Sequence, residues 1–590
     1  MTKKILVCCG TGCLANGSQA VVDQFCLETK EMDVDVIPEI KKTGCNGFCE
    51  NGPMVTIMPD HVTYYKVRPK DVPEILAGLG KEPVTRLLYK DDSGKPVTSR
   101  EENPFYTLQH KIALRNTGII DPGCFQDYLD AGGYAGLKKA LEMEPVKIIE
   151  EVEKSGLRGR GGGGFPTGLK WRSCYHVPGE FKYMLCNGDE GDPGAFMDRS
   201  ILEGDPHSVL EGLIIGAYAI GSHYGFFYIR DEYGLALKHM QKAIDDAKAA
   251  GYLGSDILGS GYTFNCEIVR GGGAFVCGES SALMASIEGR VGEPRVKYIR
   301  SVEKGLFDCP TVLNNVESLA NIPYILTDGG EAFARIGTKD SKGTKVFSLV
   351  GNVNRTGLVE VPMGITLREL IFQIGGGIPK GRKFKAVQTG GPSGGCIPEE
   401  LLDLEIDFDS LKAKGSMMGS GGIIVMDENT CMVELARYYV NFLAGESCGK
   451  CTPCREGLRG MLDILTGICE GEGVLSDLDL LEELAYTATQ ASICELGKTA
   501  ANPVMSTLHY FREEYLAHIM DKKCPAGVCP KLIAYEIIAD KCKGCGLCAK
   551  ACPTNAISGQ LKTPYLINQS NCIKCGNCKS TCPFDAIRVE

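Results

Sequence analysis

The residues best equipped for chemistry in this chain are thiols. Twenty-nine of 590 residues are cysteine, too many for ordinary packing and too tightly grouped for disulfides scattered through secreted loops. Metal is the expectation. Cys542, Cys545, Cys548 and Cys552 follow the spacing C-x2-C-x2-C-x3-C-P, and Cys572, Cys575, Cys578 and Cys582 repeat it 30 residues later. Three thiolates from one tight turn cover three corners of a four-iron cubane, and the fourth cysteine of such a run ligates the other cluster. The expected sets are Cys542, Cys545, Cys548 with Cys582, and Cys572, Cys575, Cys578 with Cys552. Zinc or structural thiols are the bland alternative, which would not need this spacing.

Three further groups are looser. Cys448, Cys451 and Cys454 repeat C-x2-C-x2-C, and Cys494 in the following helical stretch is a candidate fourth ligand. A third cubane or a zinc ribbon would use them. Near the N-terminus Cys8 and Cys13, then Cys45 and Cys49, lie in Gly-containing loops after strand-like segments. Two such pairs suit a [2Fe-2S] rhomb; thiol exchange would call for C-x-x-C, and Cys9 competes for ligand status. Cys524 and Cys529, with His518 and Cys469, would make a closed tetrahedral zinc site, against the alternative of a loose pair of thiols. The remaining cysteines, Cys124, Cys266 and Cys309 among them, read as ordinary buried thiols.

Glycine supplies the other chemistry. Gly156–Trp171 contains G-x-G-x-x-G at Gly159, Gly161 and Gly164, but an amphipathic helix near Val146–Lys154 precedes it where a dinucleotide fingerprint needs a strand. Trp171 stands where a phosphate-binding Walker loop needs Ser or Thr. What survives is side-chain-free backbone that a flat ligand can approach, with Arg160 and Lys170 nearby for phosphate; a floppy linker is the alternative. Next, Asn187, Asp189, Glu190 and Asp192 leave a strand together, suited to ribityl or ribose hydroxyls. A second loop, Gly271–Ser280 with Phe275, Gly278, Glu279 and Ser280, precedes a helix whose N-terminal amides could attract anionic groups.

These groups need several scaffolds. At ~150 residues per domain the length implies about four domains, and 44% hydrophobic with 23% charged residues supports globular cores. A net charge of -11 without a basic run disfavours nucleic acid. The apolar stretch Gly212–Ile229 is interrupted by Gly216, Gly221, Ser222, His223 and Gly225, so no membrane span is expected, and the N-terminus shows no export signal. A reducing cytoplasm is expected. Residues 1–80 read as a small α/β unit with strands at Lys4–Val7 and Asp33–Ile37 and a helix near Ser18–Lys30. Residues 81–117 read as an exposed linker, 118–335 as an α/β domain, 340–428 as a small α+β module, 431–530 as a helical bundle, and 531–590 as the cysteine repeat.

Gly156–Gly162, Phe165–Trp171, Cys186-Asn187, Asp189-Glu190, Asn314-Asn315-Val316-Glu317 and Glu446–Cys451 together resemble the flavin-bearing, NADH-oxidising subunit of respiratory complex I, over about residues 118–515. The resemblance implies FMN in contact with Gly159, Gly161, Lys170, Asn187, Asp189, Glu190, Glu279, Asn314 and Asn315, and Arg160, Gly162, Asp192, Phe275, Gly278 and Ser280 are further candidates for cofactor binding. It implies Phe165 under the dinucleotide, Lys170 and Glu190 as catalytic groups, and Cys494 as the fourth ligand beside Cys448, Cys451 and Cys454. Complex I subunits lack both cysteine-rich ends and carry Glu where Asp192 and Ser280 stand.

The longer architecture is similar to the beta subunit of soluble NAD-linked, electron-bifurcating [FeFe] hydrogenases. The fold this implies is a multidomain α/β and α+β chain: a thioredoxin-like [2Fe-2S] domain, a complex I-type FMN domain, a β-grasp-like (SLBB) module, a helical bundle with one [4Fe-4S] cluster, and a bacterial two-[4Fe-4S] ferredoxin domain. The implied cofactors are FMN, NAD(H) or NADP(H), one [2Fe-2S] and three [4Fe-4S], beside the zinc that the Cys469, His518, Cys524 and Cys529 set could hold. The implied partners are a hydrogenase subunit carrying an H-cluster, a small [2Fe-2S] thioredoxin-like subunit and ferredoxin. The diaphorase subunit of an NADP-reducing hydrogenase or of an NAD-dependent formate dehydrogenase, and a non-catalytic electron-wiring scaffold, are the rival readings.

Overall fold

The computed structural model describes residues 3–31, 38–296 and 298–589. They form two compact units, Met1–Val425 with Ile493–Leu496, and Met426–Ser492 with Gly497–Glu590. The first opens with strands β1 (Lys4–Cys8), β2 (Glu39–Thr43), β3 (Val55–Met58) and β4 (Val62–Tyr64) in the order β2-β1-β3-β4, with helix α1 (Ser18–Glu31) packed beside them. The expected strand Asp33–Ile37 lies outside the described residues; the parallel partner of β1 is β2. Alternation along β1 turns Ile5 and Val7 into one core and Cys8 toward the opposite face.

The stretch 81–117, expected to be an exposed linker, is instead partly core. It carries the hairpin β5 (Tyr89–Lys90) and β6 (Pro96–Val97). Phe105 is fully buried and stacks on Phe48 with ring centroids 4.4 Å apart. A few large apolar residues among many polar ones hid this from periodicity. The carboxylate of Glu360, also fully buried, accepts the backbone N–H groups of Ile112, Ala113 and Leu114 at 2.9, 2.9 and 2.8 Å.

The middle of the first unit is a parallel sheet of β7 (Tyr183–Gly188), β8 (Tyr224–Arg230), β9 (Asn265–Gly271) and β10 (Thr311–Asn315), in the order β10-β7-β8-β9. The chain crosses over between β7 and β10, so the carboxyl ends of these two strands border a topological switch point, where open α/β sheets bind ligands. Around the sheet lie α2 (Pro145–Ser155), α3 (Thr167–His176), α4 (Met197–Gly204), α5 (Pro206–Ile220), α6 (Ser280–Ile287) and α7 (Val316–Asp328). Helix α5 is apolar nearly all round and almost wholly buried. A Cβ at Gly212 would come within 2.1 Å of the Leu319 carbonyl oxygen, so only glycine permits this approach of α5 to α7. A five-stranded sheet follows, β12-β11-β15-β13-β14, built from β11 (Thr344–Gly351), β12 (Gly357–Pro362), β13 (Phe384–Thr389), β14 (Cys396–Pro398) and β15 (Gly422–Asp427).

The second unit contains helices α8 (Met432–Glu446), α9 (Thr452–Glu470), α10 (Ser476–Ala491) and α11 (Asn502–Tyr510), then two small hairpin-like pairs. In the last sixty residues β16 (Tyr535–Ile537) pairs with β19 (Ile587–Val589), and β17 (Ile557–Ser558) with β18 (Leu566–Ile567). No helix among the described residues is long and apolar enough to cross a membrane. Replacing Glu360 by Leu orphans three buried amides at ~1–3 kcal/mol each; a loss of about 4 kcal/mol in urea unfolding of the first unit is the expected outcome.

Candidate flavin site and metal centres

The first glycine loop begins where α2 ends, at Gly156 in the left-handed region with φ 65°. Gly159 N–H donates to the Phe165 carbonyl at 2.9 Å, closing the loop on itself. A Cβ at Gly161 would lie 2.9 Å from that of Asn315, so bare backbone runs beside the end of β10. The guanidinium of Arg160 does not face a ligand. It is fully buried and donates to the carbonyls of Thr344, Arg158 and Lys342 at 3.0, 2.8 and 2.5 Å. Burial brings its pKa down to about 10. The phosphate role expected of this side chain is therefore corrected: it fastens the loop.

Asn314 and Asn315 end β10 opposite Cys186 and Asn187 of β7. Asn314 accepts from the Trp171 indole at 2.9 Å, while its Nδ2 is buried with no protein partner. A buried amide donor left over in this way is what a flavin carbonyl or phosphate would satisfy. Asn315 caps α7 through Oδ1 and donates to Asp198 at 2.5 Å. Asn187 donates to the Gly278 carbonyl at 2.9 Å, joining β7 to the second glycine loop. Asp189 faces Arg230 at 3.4 Å.

Glu190 is buried, accepts the N–H groups of Asp198 and Arg199 at 3.0 and 3.1 Å, and its pKa is pushed up by that burial. Asp192 accepts from the Ser420 hydroxyl, and burial lifts its pKa to about 6. Phe275 lies against Gly191, which has no room for a Cβ. Glu279 caps α6 by accepting Ser281 and Ala282 N–H at 2.8 and 3.0 Å, and takes the Ser280 hydroxyl at 3.1 Å. Those amides, expected to attract a ligand anion, are thus held by the chain's own carboxylate. Phe165, Lys170, Ser280 and Ser281 line a cavity of about 230 Å³, with Arg295 and Leu313 on its wall. Lys170 Nζ donates to the Leu313 carbonyl at 2.8 Å.

The N-terminal thiols converge as two loops. The Sγ atoms of Cys45 and Cys49 are 3.8 Å apart, and Gly47 N–H donates to Cys45 Sγ at 3.3 Å. A Cβ at Gly52 would strike Cys13 Sγ at 2.5 Å, and one at Gly10 would meet Cys45 Cβ at 2.9 Å, so glycines cradle the sulfurs. Hydrogen bonds from Cys13 and Cys45 draw the Cys8 thiol well below its usual range, toward thiolate. Cys9 turns the other way, into the core beside Ile5 and Val7, where burial lifts its pKa to about 11. The donor set fits a [2Fe-2S] rhomb.

In the second unit, Cys542, Cys545, Cys548 and Cys582 line one recess, and Cys552, Cys572, Cys575 and Cys578 another. The crossed sets are brought together in space. Cys454 Sγ lies 3.2 Å from the Ser447 hydroxyl, on the loop of Cys448 and Cys451. Residues 493–496, with Cys494, pack in the first unit.

The zinc expectation needs one correction. The ligand atoms of Cys431, His518, Cys524 and Cys529 all lie within 4.8 Å of one another, and all four residues are buried. His518 Nε2 is 3.4 Å from both Cys431 Sγ and Cys529 Sγ, and its Nδ1 sits 2.7 Å from the Glu514 carbonyl, an arrangement that leaves Nε2 for a metal. Cys469 groups instead with Glu434 and Cys529. Cys431, counted among ordinary thiols from the sequence, is the fourth member. Of those expected to be buried, Cys266 is, whereas Cys124 and Cys309 are only half-buried.

Comparisons with known proteins agree with this layout. Residues 2–80 match the thioredoxin-like [2Fe-2S] ferredoxin, 152–324 the Nuo51 FMN-binding domain, 346–397 the SLBB domain, 434–518 the NADH-ubiquinone oxidoreductase-F iron-sulfur binding region, and 541–586 the 4Fe-4S dicluster domain. The NADP-reducing hydrogenase subunit HndC of Solidesulfovibrio fructosivorans is 53% identical over 78% of this chain and 93% of its own length. An F-type subunit of NADH-quinone oxidoreductase from Rhizobium meliloti (strain 1021) is 48% identical over 70% and 99%. The chain belongs to the family of FMN-binding F-type subunits. A chain of the crystal structure of NAD+-reducing [NiFe]-hydrogenase in the H2-reduced state superposes with TM-score 0.62 at 28% identity, covering 88% of this chain and 84% of that one. The fold is a multidomain α/β chain with thioredoxin-like, FMN, SLBB and 4Fe-4S domains.

Trp171, the single tryptophan, reports on the flavin site. FMN added to flavin-free protein should quench its emission, and Asn314→Ala should weaken the titrated affinity about tenfold, ~1.4 kcal/mol.

Proposed function

We propose that this chain exchanges hydride with NAD(H), or NADP(H), at FMN within residues 118–335 and passes single electrons through one [2Fe-2S] and three [4Fe-4S] clusters to other subunits of a cytoplasmic hydrogenase. The observation that carries the reading is the gathering of Asn187, Glu190 and Asn314 at the carboxyl ends of β7 and β10, with Phe165 and Lys170 on a cavity. Flavin, when bound, converts between two-electron hydride chemistry and one-electron cluster chemistry.

The chain's residues do the positioning. The backbone of Gly161–Gly163 offers a flat ring a surface without side chains, and the Asn314 amide presents a donor. Phe165, about half exposed, gives a nicotinamide an apolar face to lie on. The Lys170 ammonium supplies positive charge at the cavity wall. Glu190, anchored by two backbone amides, keeps its carboxyl in place for hydroxyl or amide partners. Cys448, Cys451 and Cys454 offer three thiolates to one cubane. A zinc ion on Cys431, His518, Cys524 and Cys529 braces the second unit. Residues 1–80, 118–335, 340–428, 431–530 and 531–590 act as the working modules.

Similarity to HndC and to the NAD+-reducing hydrogenase supports a hydrogenase partner. Clusters at both ends of the chain give electrons two exits, which favours an H-cluster subunit, a small [2Fe-2S] subunit and ferredoxin as partners, with bifurcation at the flavin. A diaphorase for an NADP-reducing hydrogenase or a formate dehydrogenase is the rival reading, and the companion that co-purifies distinguishes them. Lys170→Ala should cut NADH-dependent bleaching of the flavin at least a hundredfold while cluster absorption stays; full bleaching in that variant refutes the site. Metal analysis of anaerobically purified protein should find about one zinc, lost in Cys431→Ser and kept in Cys469→Ser.

A further inference from the structure

Helix α4 is short, and its two ends touch two different redox sites. At its start, Asp198 and Arg199 donate their backbone N–H groups to Glu190. At its end, Glu203 and Gly204 meet the N-terminal [2Fe-2S] domain. The Glu203 carboxylate accepts both the backbone N–H of Thr11 at 3.0 Å and its hydroxyl. Thr11 lies inside the Cys8–Cys13 loop. The next residue, Gly204, runs so close to Gly44, beside Cys45, that a Cβ on Gly44 would sit 2.3 Å from the Gly204 Cα. Both ligand loops of the [2Fe-2S] domain therefore rest on the last turn of α4.

Glu203 is only 2% exposed, and the cation facing it is Arg199, one turn earlier at 3.8 Å. His239 reaches the Glu203 backbone carbonyl at 2.7 Å, and burial lowers its pKa, which favours the neutral ring at pH 7. A carboxylate buried this deeply is screened weakly by solvent. Net charge, hydrogen bonds and solvent exposure are what set an iron-sulfur potential. Reduction adds one electron, and hence one negative charge, to the centre held by Cys8, Cys13, Cys45 and Cys49.

We propose that Glu203 is a positioning residue that fixes the Cys8–Cys13 loop on α4 and holds the [2Fe-2S] potential low by its charge, with Arg199 moderating it. The proposal rests on the reading that these four cysteines hold a [2Fe-2S] rhomb. It goes beyond that reading by making α4 the strut that fixes cluster and flavin site relative to each other.

The test is an EPR-monitored redox titration of the full chain. Glu203→Gln should move the [2Fe-2S] midpoint positive by about tenfold in the reduced-to-oxidised ratio, 59 mV for a one-electron couple. Arg199→Met, which leaves the carboxylate uncompensated, should move it negative. Thr11→Val keeps the charge and loses one hydrogen bond, and should shift it less than Glu203→Gln. Opposite signs for Glu203→Gln and Arg199→Met support the proposal. An unmoved midpoint in both, or shifts of the same sign, overturns it. If Glu203→Gln loses its cluster, the sign in Arg199→Met decides alone. Absence of the [2Fe-2S] signal from the unaltered protein would refute the underlying ligand reading instead.

Discussion

Lys345 and Glu317 form an ion pair with almost no access to water, at 0% and 1% side-chain exposure, and the flavin end of the first unit is fastened through it. Glu317 lies in the first turn of α7, two residues after Asn315, and Lys345 lies on β11, the first strand of the following sheet. The carboxylate also accepts the Val346 N–H at 2.9 Å, so both charges are hydrogen-bonded as well as paired. Arg160 adds a third buried charge from the glycine loop, fixed to carbonyls of the same strand entry. Losing one partner of such a pair strands the other in a low dielectric, at ~3–5 kcal/mol. Loop, strand end and neighbouring module therefore hold one geometry together or lose it together.

That constraint explains which parts of the flavin site could be read from residue types. The glycine loops and Asn314 can be proposed from residue type because a flat ligand calls for bare backbone and an amide donor. The division of labour among the polar side chains was not. Arg160, Asn315 and Glu279 have the chemistry of ligand contacts, yet their side chains close a loop, cap α7 and cap α6. Nothing in a linear sequence separates a carboxylate that meets a cofactor from one that satisfies helix amides two and three residues on.

The metal centres show the same boundary from the other side. Thiolate runs spaced two or three residues apart encode their geometry locally, and the cysteines of each crossed set expected at the C-terminus line one recess. Cys431 carries no such local mark: it stands 87 positions before His518 and joins it only through the folding of the helical unit. Cys469, nearer in sequence, groups instead with Glu434 and Cys529. The 81–117 stretch was misread for a related reason, since Phe105 and Ile112–Leu114 are buried by partners distant in the chain, the Glu360 carboxylate among them.

With Cys582 beside the first triad and Cys552 beside the second, assembly of a cubane in each recess would be interdependent. Neither coordination shell would be complete until the opposite half of the repeat had arrived. Scarce iron or sulfide would then sort molecules into fully furnished and bare tails, with few carrying a single centre, and oxidative damage to one turn would open its twin as well.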